Sequence, residues 1–219
     1  MTHGNMFITF EGIEGSGKST QARLFKEYLD QAGFPCILTR EPGGDAIGQQ
    51  IRSVLLNPES RNMAPISELL LYLADRVQHI EQVILPALKD GKTVISDRYA
   101  DATLVYQGYA RGLDRDLIMD LHVRLCRNLQ PAITFLLDMP VKDGLSRAWK
   151  QLNNGTRDLS ESRFESEALD FHERVRNGYR DIARLNPDRF KIIDALPHVD
   201  DIQSTIRQMF LSYVKETHA

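Results

Sequence analysis

Met6-Phe7-Ile8-Thr9-Phe10-Glu11-Gly12-Ile13-Glu14-Gly15-Ser16-Gly17-Lys18-Ser19-Thr20 decides how this chain folds. Residues 6–10 are nearly all apolar, the composition of a strand buried on both faces. Gly12 to Ser19 match G-x-x-x-x-G-K-[ST]. Residues 18–32 then read as a helix, with Phe25, Tyr28, Leu29 and Ala32 on one stripe and Gly33 as its stop. Strand, glycine-rich loop and helix in that order make a cradle for phosphate. Backbone N–H groups of the loop and of the helix N-terminus converge on the anion. Glycines let the backbone approach it closely. Lys18 brings a cation to the outer phosphates, and the Ser19 hydroxyl belongs beside Mg²⁺. Gly12, Ile13, Glu14, Gly15, Ser16, Gly17, Lys18, Ser19 and Thr20 are therefore candidate contacts for a nucleoside triphosphate.

Outward from this stretch, four more short apolar runs read as buried strands: residues 35–39, 93–96, 132–137 and 190–193. Helical stretches lie between them, at residues 66–88 with a kink near Pro86, and at 114–129, 141–152 and 164–185. A last one, 199–214, sets Ile202, Ile206, Met209, Phe210 and Tyr213 at three- and four-residue steps. The alternation predicts an α/β fold, a parallel sheet covered by helices on both faces, with ligands at the carboxyl ends of the strands. Thr93-Val94-Ile95-Ser96-Asp97 ends a strand on a carboxylate, which would place Asp97 near the metal with Ser19. Residues 151–165 break the pattern with a Gly and two Asn. They read either as a solvated surface loop or as a mobile lid over a charged site.

The composition bounds the function. The chain has 219 residues, 42% hydrophobic and 26% charged, which suits one domain over 1–219. Its 27 basic and 30 acidic residues give a net charge of −3, which argues against binding polymeric nucleic acid. No apolar run approaches the roughly 20 residues that span a bilayer, and the first five residues lack the features of a signal peptide. Cys36 and Cys126 sit in no metal-ligand spacing and read as thiols in a reducing compartment. The GTPase base-reading pattern Asn-Lys-x-Asp is absent.

Further blocks follow the loop. Arg40-Glu41-Pro42-Gly43-Gly44 comes after the second strand, and Tyr72-Leu73-Ala74-Asp75-Arg76-Val77-Gln78-His79 lies in the long helix. Asp97-Arg98-Tyr99 follows the third strand, then Thr103, Tyr106-Gln107-Gly108 and Arg111-Gly112. With Glu11-Gly12-Ile13-Glu14-Gly15, and in this order and spacing, they resemble thymidylate kinase, of the P-loop nucleoside monophosphate kinases. The resemblance runs from about Phe7 to the last helix. It implies a three-layer α/β/α P-loop kinase fold with a five-stranded parallel sheet and a lid segment at about 147–165. It implies the reaction ATP + dTMP → ADP + dTDP, for dTTP synthesis, with Mg²⁺ and with ATP as co-substrate. It also implies a cytoplasmic homodimer, with no membrane and no polymeric nucleic acid among its partners.

The resemblance assigns roles residue by residue. Arg98 contacts the dTMP phosphate and bridges donor and acceptor; Arg40 lies near that phosphate, and Pro42 shapes the pocket wall. Tyr72 stands where the family has a Phe stacked on thymine, and keeps the aromatic face. Arg76, one helical turn on, donates to thymine O4. Thr103 and Gln107 face the base's polar edge, and Tyr106 crowds the sugar 2′ position. Glu14 positions a cation or the 3′-hydroxyl. One branch of the family has a basic residue where this chain has Gly15. That charge then falls to the lid, where Arg147, Lys150, Arg157 and Arg163 lie, as in the bacterial branch. Lys18, Arg98, Glu14 and Arg163 thus form the expected catalytic set, with Arg147 and Arg157 on the ATP side. Two other readings stay open at the level of sequence: a kinase for another monophosphate, and a P-loop switch without an acceptor.

Overall fold

The central strand is the one the opening stretch encodes. The structure, a computed structural model, describes residues 5–156 and 158–217. β1 (Phe7–Gly12) is buried along its whole length and runs into the phosphate loop, from which α1 (Lys18–Gln31) leaves. β2 (Cys36–Arg40), α2 (Ala46–Leu56), α3 (Pro65–His79) and α4 (Leu85–Lys89) follow, with a 3₁₀ turn at Pro58–Asn62. Next come β3 (Thr93–Asp97), α5 (Ala100–Thr103) and a π-helical stretch, Leu104–Ala110. The chain ends with α6 (Arg115–Leu125), β4 (Ile133–Asp138), α7 (Val141–Asn153), α8 (Leu169–Leu185), β5 (Phe190–Asp194) and α9 (Val199–Thr217).

The five strands pair in parallel in the order β2-β3-β1-β4-β5. Strand order reverses at β1, so the crevice at its carboxyl end is the expected ligand site. Register puts Phe10 beside Asp97 and Arg40 beside Asp97, so loop, carboxylate and arginine leave the sheet at one level. Phe10, Phe25, Phe135 and Phe210 pack on one face, with Phe25–Phe210 ring centroids 5.1 Å apart and Phe10–Phe135 5.2 Å. Phe7, Leu69, Leu73, Val94 and Tyr99 fill the other. Each such buried side chain contributes about 1.5–3 kcal/mol.

Three departures from the expected elements have physical causes. The helix expected over 66–88 is divided by a π turn at Ile80–Ile84. Pro86 has no N–H to give Gln82, and the wide turn just before it absorbs the missing bond. α2 was not expected, because Gly43, Gly44 and Gly48 dilute its pattern; the Asp45 carboxylate caps it by accepting from Gly48 N at 2.6 Å. The helix expected over 114–129 stops at Leu125, because Arg127 and Asn128 turn left-handed, with φ of 55° and 48°. Residues 164–168 lie outside α8, in turns. Among the described residues both cysteines are free thiols, and no helix is long and apolar enough to cross a membrane.

Candidate active site

Gly17, with φ of +91°, ends the loop and starts α1. Lys18 folds back over the loop, donating from Nζ to Ile13 O at 2.7 Å. Burial, with Arg98 adding to it, pushes the Lys18 ammonium down to about 8 against the pull of Asp97, Glu14 and Glu11. A phosphate arriving here would push that value back up and favour the charged form further. The Ser19 hydroxyl donates to Asp97 Oδ2, so the two proposed metal neighbours already touch. Both are hard oxygen donors, which suits Mg²⁺. Among the described residues no three His, Cys, Asp or Glu side chains converge to cage a metal.

Gly15 explains why the loop carries no side chain there. A Cβ on it would come 2.0 Å from Gly144 O, and one on Gly144 would come 2.6 Å from Glu14 O. The paired glycines let α7 lie against the phosphate loop, backbone on backbone.

Arg98 follows β3 with a left-handed backbone, φ +73°. Its N–H donates to Phe10 O at 3.0 Å, and its C=O accepts from Ser96 Oγ at 2.7 Å. Its guanidinium donates to Tyr179 Oη at 2.9 Å, Tyr106 Oη at 3.0 Å and Glu14 Oε1 at 3.2 Å. Tyr106 Oη also donates to Glu14 Oε1. Burial alone would raise the Glu14 carboxyl. His172, Arg98 and Lys18 outweigh it and hold Glu14 well below the usual carboxylate range. His172 Nδ1 lies 3.2 Å from Glu14 Oε2, angled away from a hydrogen bond.

Two cavities meet at this arginine. One is lined by Pro42, Tyr72, Arg76, Thr103, Tyr106, Gln107 and Phe164. The other is lined by Gly15, Gly17, Lys18, Ser19, Thr20, Arg40 and Asp97. Glu14, Glu41, Arg52 and Arg98 line both. The first offers aromatic rings beside Arg76, Thr103 and Gln107; the second offers cations and loop backbone. Arg76 is buried, donating to Glu41 Oε2 at 2.9 Å and to Thr103 Oγ1 at 2.8 Å. Burial would raise Glu41, but Arg76 and His79 outweigh it, so its pKa lies low and it anchors Arg76 as an anion.

Most of the expected site residues come together in these cavities, but Arg147 and Arg163 do not. Arg163 does not reach the phosphate loop. It is buried, donates to Leu55 O at 2.9 Å, and pairs with the buried Glu68 carboxylate. Glu68 also accepts from Gln107 Nε2 at 2.7 Å and faces Arg111. Arg147 points to the loop after β5, donating to Ala195 O at 2.9 Å. Arg157 lies outside the described residues. Among its described residues, the lid segment is exposed at 153–156 and 158–160 and buried at 162–165, where it packs onto the acceptor cavity. Its Glu161 takes a two-pronged bond from Arg52 at 2.7 Å and 2.7 Å.

The sequence reading missed Arg52, which also donates to Pro42 O at 2.9 Å and faces both cavities. It sits on α2, whose signal was Asp45 as cap followed by Ile47, Ile51, Val54 and Leu55 at helical spacing. Phe164 and Gln151 were likewise not assigned; each lines one cavity.

Comparisons with known proteins point to one family. A family model described as thymidylate kinase matches residues 10–206. A thymidylate kinase of Desulfosudis oleivorans is 52% identical over 191 residues, 87% of this chain and 89% of that one. One of Desulfovibrio desulfuricans is 47% identical over 210 residues, 96% of this chain and 97% of that one. The crystal structure of thymidylate kinase from Ehrlichia chaffeensis superposes with a TM-score of 0.74 at 33% identity, covering 94% of this chain and 99% of that one.

Proposed function

The chain belongs to the thymidylate kinase family, and from that premise we propose how its two cavities carry out ATP + dTMP → ADP + dTDP. The carrying observation is the shared wall: Arg52, Arg98 and Glu14 face the phosphate-loop cavity and the aromatic cavity at once. A site that only hydrolysed a triphosphate has no use for the second cavity.

The donor's phosphates lie along Gly12–Thr20, with Lys18 on the outer ones and Arg147 and Arg157 serving the ATP side. Ser19 and Asp97 would hold Mg²⁺, which would supply charge neutralisation on those phosphates. The acceptor base lies against the Tyr72 ring, with Arg76 and Gln107 toward its polar edge and Pro42 as wall. Thr103 and Glu41 hold Arg76 in place for this. The Tyr106 ring fills the space beside the sugar. Arg98, Arg40 and Arg52 gather the acceptor phosphate. Its oxygen needs no general base, because a phosphomonoester with a second pKa of about 6 is already largely ionised. Catalysis then reduces to alignment and cancellation of charge, which fixed cations supply. Arg163 would have to leave Glu68 to take part, so its role is indirect: it holds Glu68, which accepts from Gln107 on the acceptor side. Residues 1–219 act as one kinase domain with 147–165 as its lid.

We further propose a cytoplasmic homodimer. Ile47 and Val54 on α2, Ile66 and Leu70 on α3, and Leu117, Met119 and Val123 on α6 are exposed apolar residues on neighbouring helices. The free thiols Cys36 and Cys126 suit a reducing compartment.

A coupled ADP assay with dTMP, dUMP, dCMP or AMP, and with none, tests the reaction. Turnover should depend on dTMP. ADP release that no monophosphate changes would overturn the reading in favour of a switch.

A further inference from the structure

Glu11 and Tyr179 line neither cavity, yet both are fully buried and both touch the groups around Arg98. Glu11 Oε1 accepts from Tyr99 N at 2.8 Å. Its Oε2 accepts from Tyr179 Oη at 2.7 Å. Tyr179 Oη in turn accepts from Arg98 Nη1 at 2.9 Å, and Glu11 Oε2 lies 3.9 Å from the same nitrogen. The carboxylate therefore holds Arg98 at both ends. Through Tyr99 N it pins the peptide that leaves the left-handed residue; through Tyr179 it pins the guanidinium.

Such a group is costly to keep. A left-handed arginine backbone stores strain that its surroundings must over-determine. A carboxyl without water is destabilising, and apolar residues of the same volume would pack here without that penalty. Burial raises the Glu11 carboxyl to about 7, only partly offset by Arg98, while Asp101 adds to the rise. Lys18 on α1, Asp101 on α5, Tyr179 on α8 and Arg98 itself are the charged and titratable groups around it.

We propose that Glu11 and Tyr179 are positioning residues for phosphoryl transfer, holding the Arg98 guanidinium aimed at the junction of the two cavities. Tyr179 does so from α8, so the helix that follows the lid segment sets the aim of the bridging arginine. This rests on the reading of Arg98 as the phosphate bridge.

Tyr179→Phe keeps the ring and removes only the relay oxygen; at pH 8, where Glu11 is mostly ionised, Glu11→Gln keeps an acceptor for Tyr99 N and removes the charge. Each should lower kcat about ten- to a hundredfold, the loss of one hydrogen bond to a charged group. KM for dTMP should stay within about twofold. In an Arg98→Ala background, Tyr179→Phe should cost nothing further, because its effect passes through the missing guanidinium. Full multiplication of the two losses, or a change confined to KM, would overturn the proposal. Crystal structures of wild type and Tyr179→Phe give a readout independent of turnover: the guanidinium should shift. If it stays in place the proposal fails, whereas wild type inactive toward dTMP would refute only the assignment of the reaction.

Discussion

Arg98 is the residue on which the two halves of the site depend. Its planar, permanently charged fork touches Glu14, Tyr106 and Tyr179 together. Arg98→Ala should lower kcat about 10²–10³-fold, the scale for removing one transition-state donor. KM for dTMP should rise less than tenfold. Steady-state kinetics decide this, and a change in KM alone would make Arg98 a binding group only. The buried acids make a second prediction. Glu11 goes from 4.5 to about 7 on folding, and Asp75, driven by burial and by Glu41, from 3.8 to about 7. Both hold protons in the folded state that the unfolded chain releases earlier. Their favourable contribution is complete below about 4, and disappears as pH rises through 7. Urea unfolding of wild type and Glu11→Gln at pH 5 and pH 8 should show wild type losing up to about 3 kcal/mol relative to the variant. A constant difference between the two would contradict the assignment of a raised pKa to Glu11.

At the scale of elements, the contact between the phosphate loop and α7 is the tightest in the site. Gly144→Val would put a Cβ 2.6 Å from Glu14 O and 2.8 Å from Ile13 Cδ1, so loop and helix must part. Overpacking of this kind costs about 1–3 kcal/mol. KM for ATP should rise about tenfold while dTMP binding measured by calorimetry stays unchanged; an unchanged KM for ATP would show that the contact is incidental. The same elements show what could be read from sequence. The central strands β1, β3 and β4 were legible because burial on both faces leaves a short apolar run; the edge strands β2 and β5 keep such a run although, against expectation, they are partly exposed, as at Leu38 and Ile192. The loop was legible, because glycines and Lys18 at fixed spacing carry the chemistry in one stretch. Arg163 was not, because its partner Glu68 lies 95 positions away and claims it by burial, which no local pattern encodes. Arg52 was missed for the converse reason. Its helix is announced by Asp45, but glycines on either side hide the periodicity.

At the scale of the whole molecule, the exposed apolar residues of α2, α3 and α6 bear on assembly. Leu70, 55% exposed, lies near the middle of α3. Leu70→Glu would set a charge into the proposed interface, and sedimentation should show the protein moving from dimer toward monomer. A dimer of unchanged stability would place the interface elsewhere. α3 also carries Tyr72 and Arg76 into the acceptor cavity, two residues and six residues beyond Leu70. One helix thus serves both the nucleotide and the proposed partner copy.

The Gly15–Gly144 contact also bears on how the protein can be observed. The chain has one tryptophan, Trp149, five positions beyond Gly144 on α7 and 41% exposed. An indole so placed on the helix that abuts the phosphate loop is a built-in emitter. Its quantum yield and quenching by iodide report what nucleotides do to that helix, in unlabelled protein and in real time.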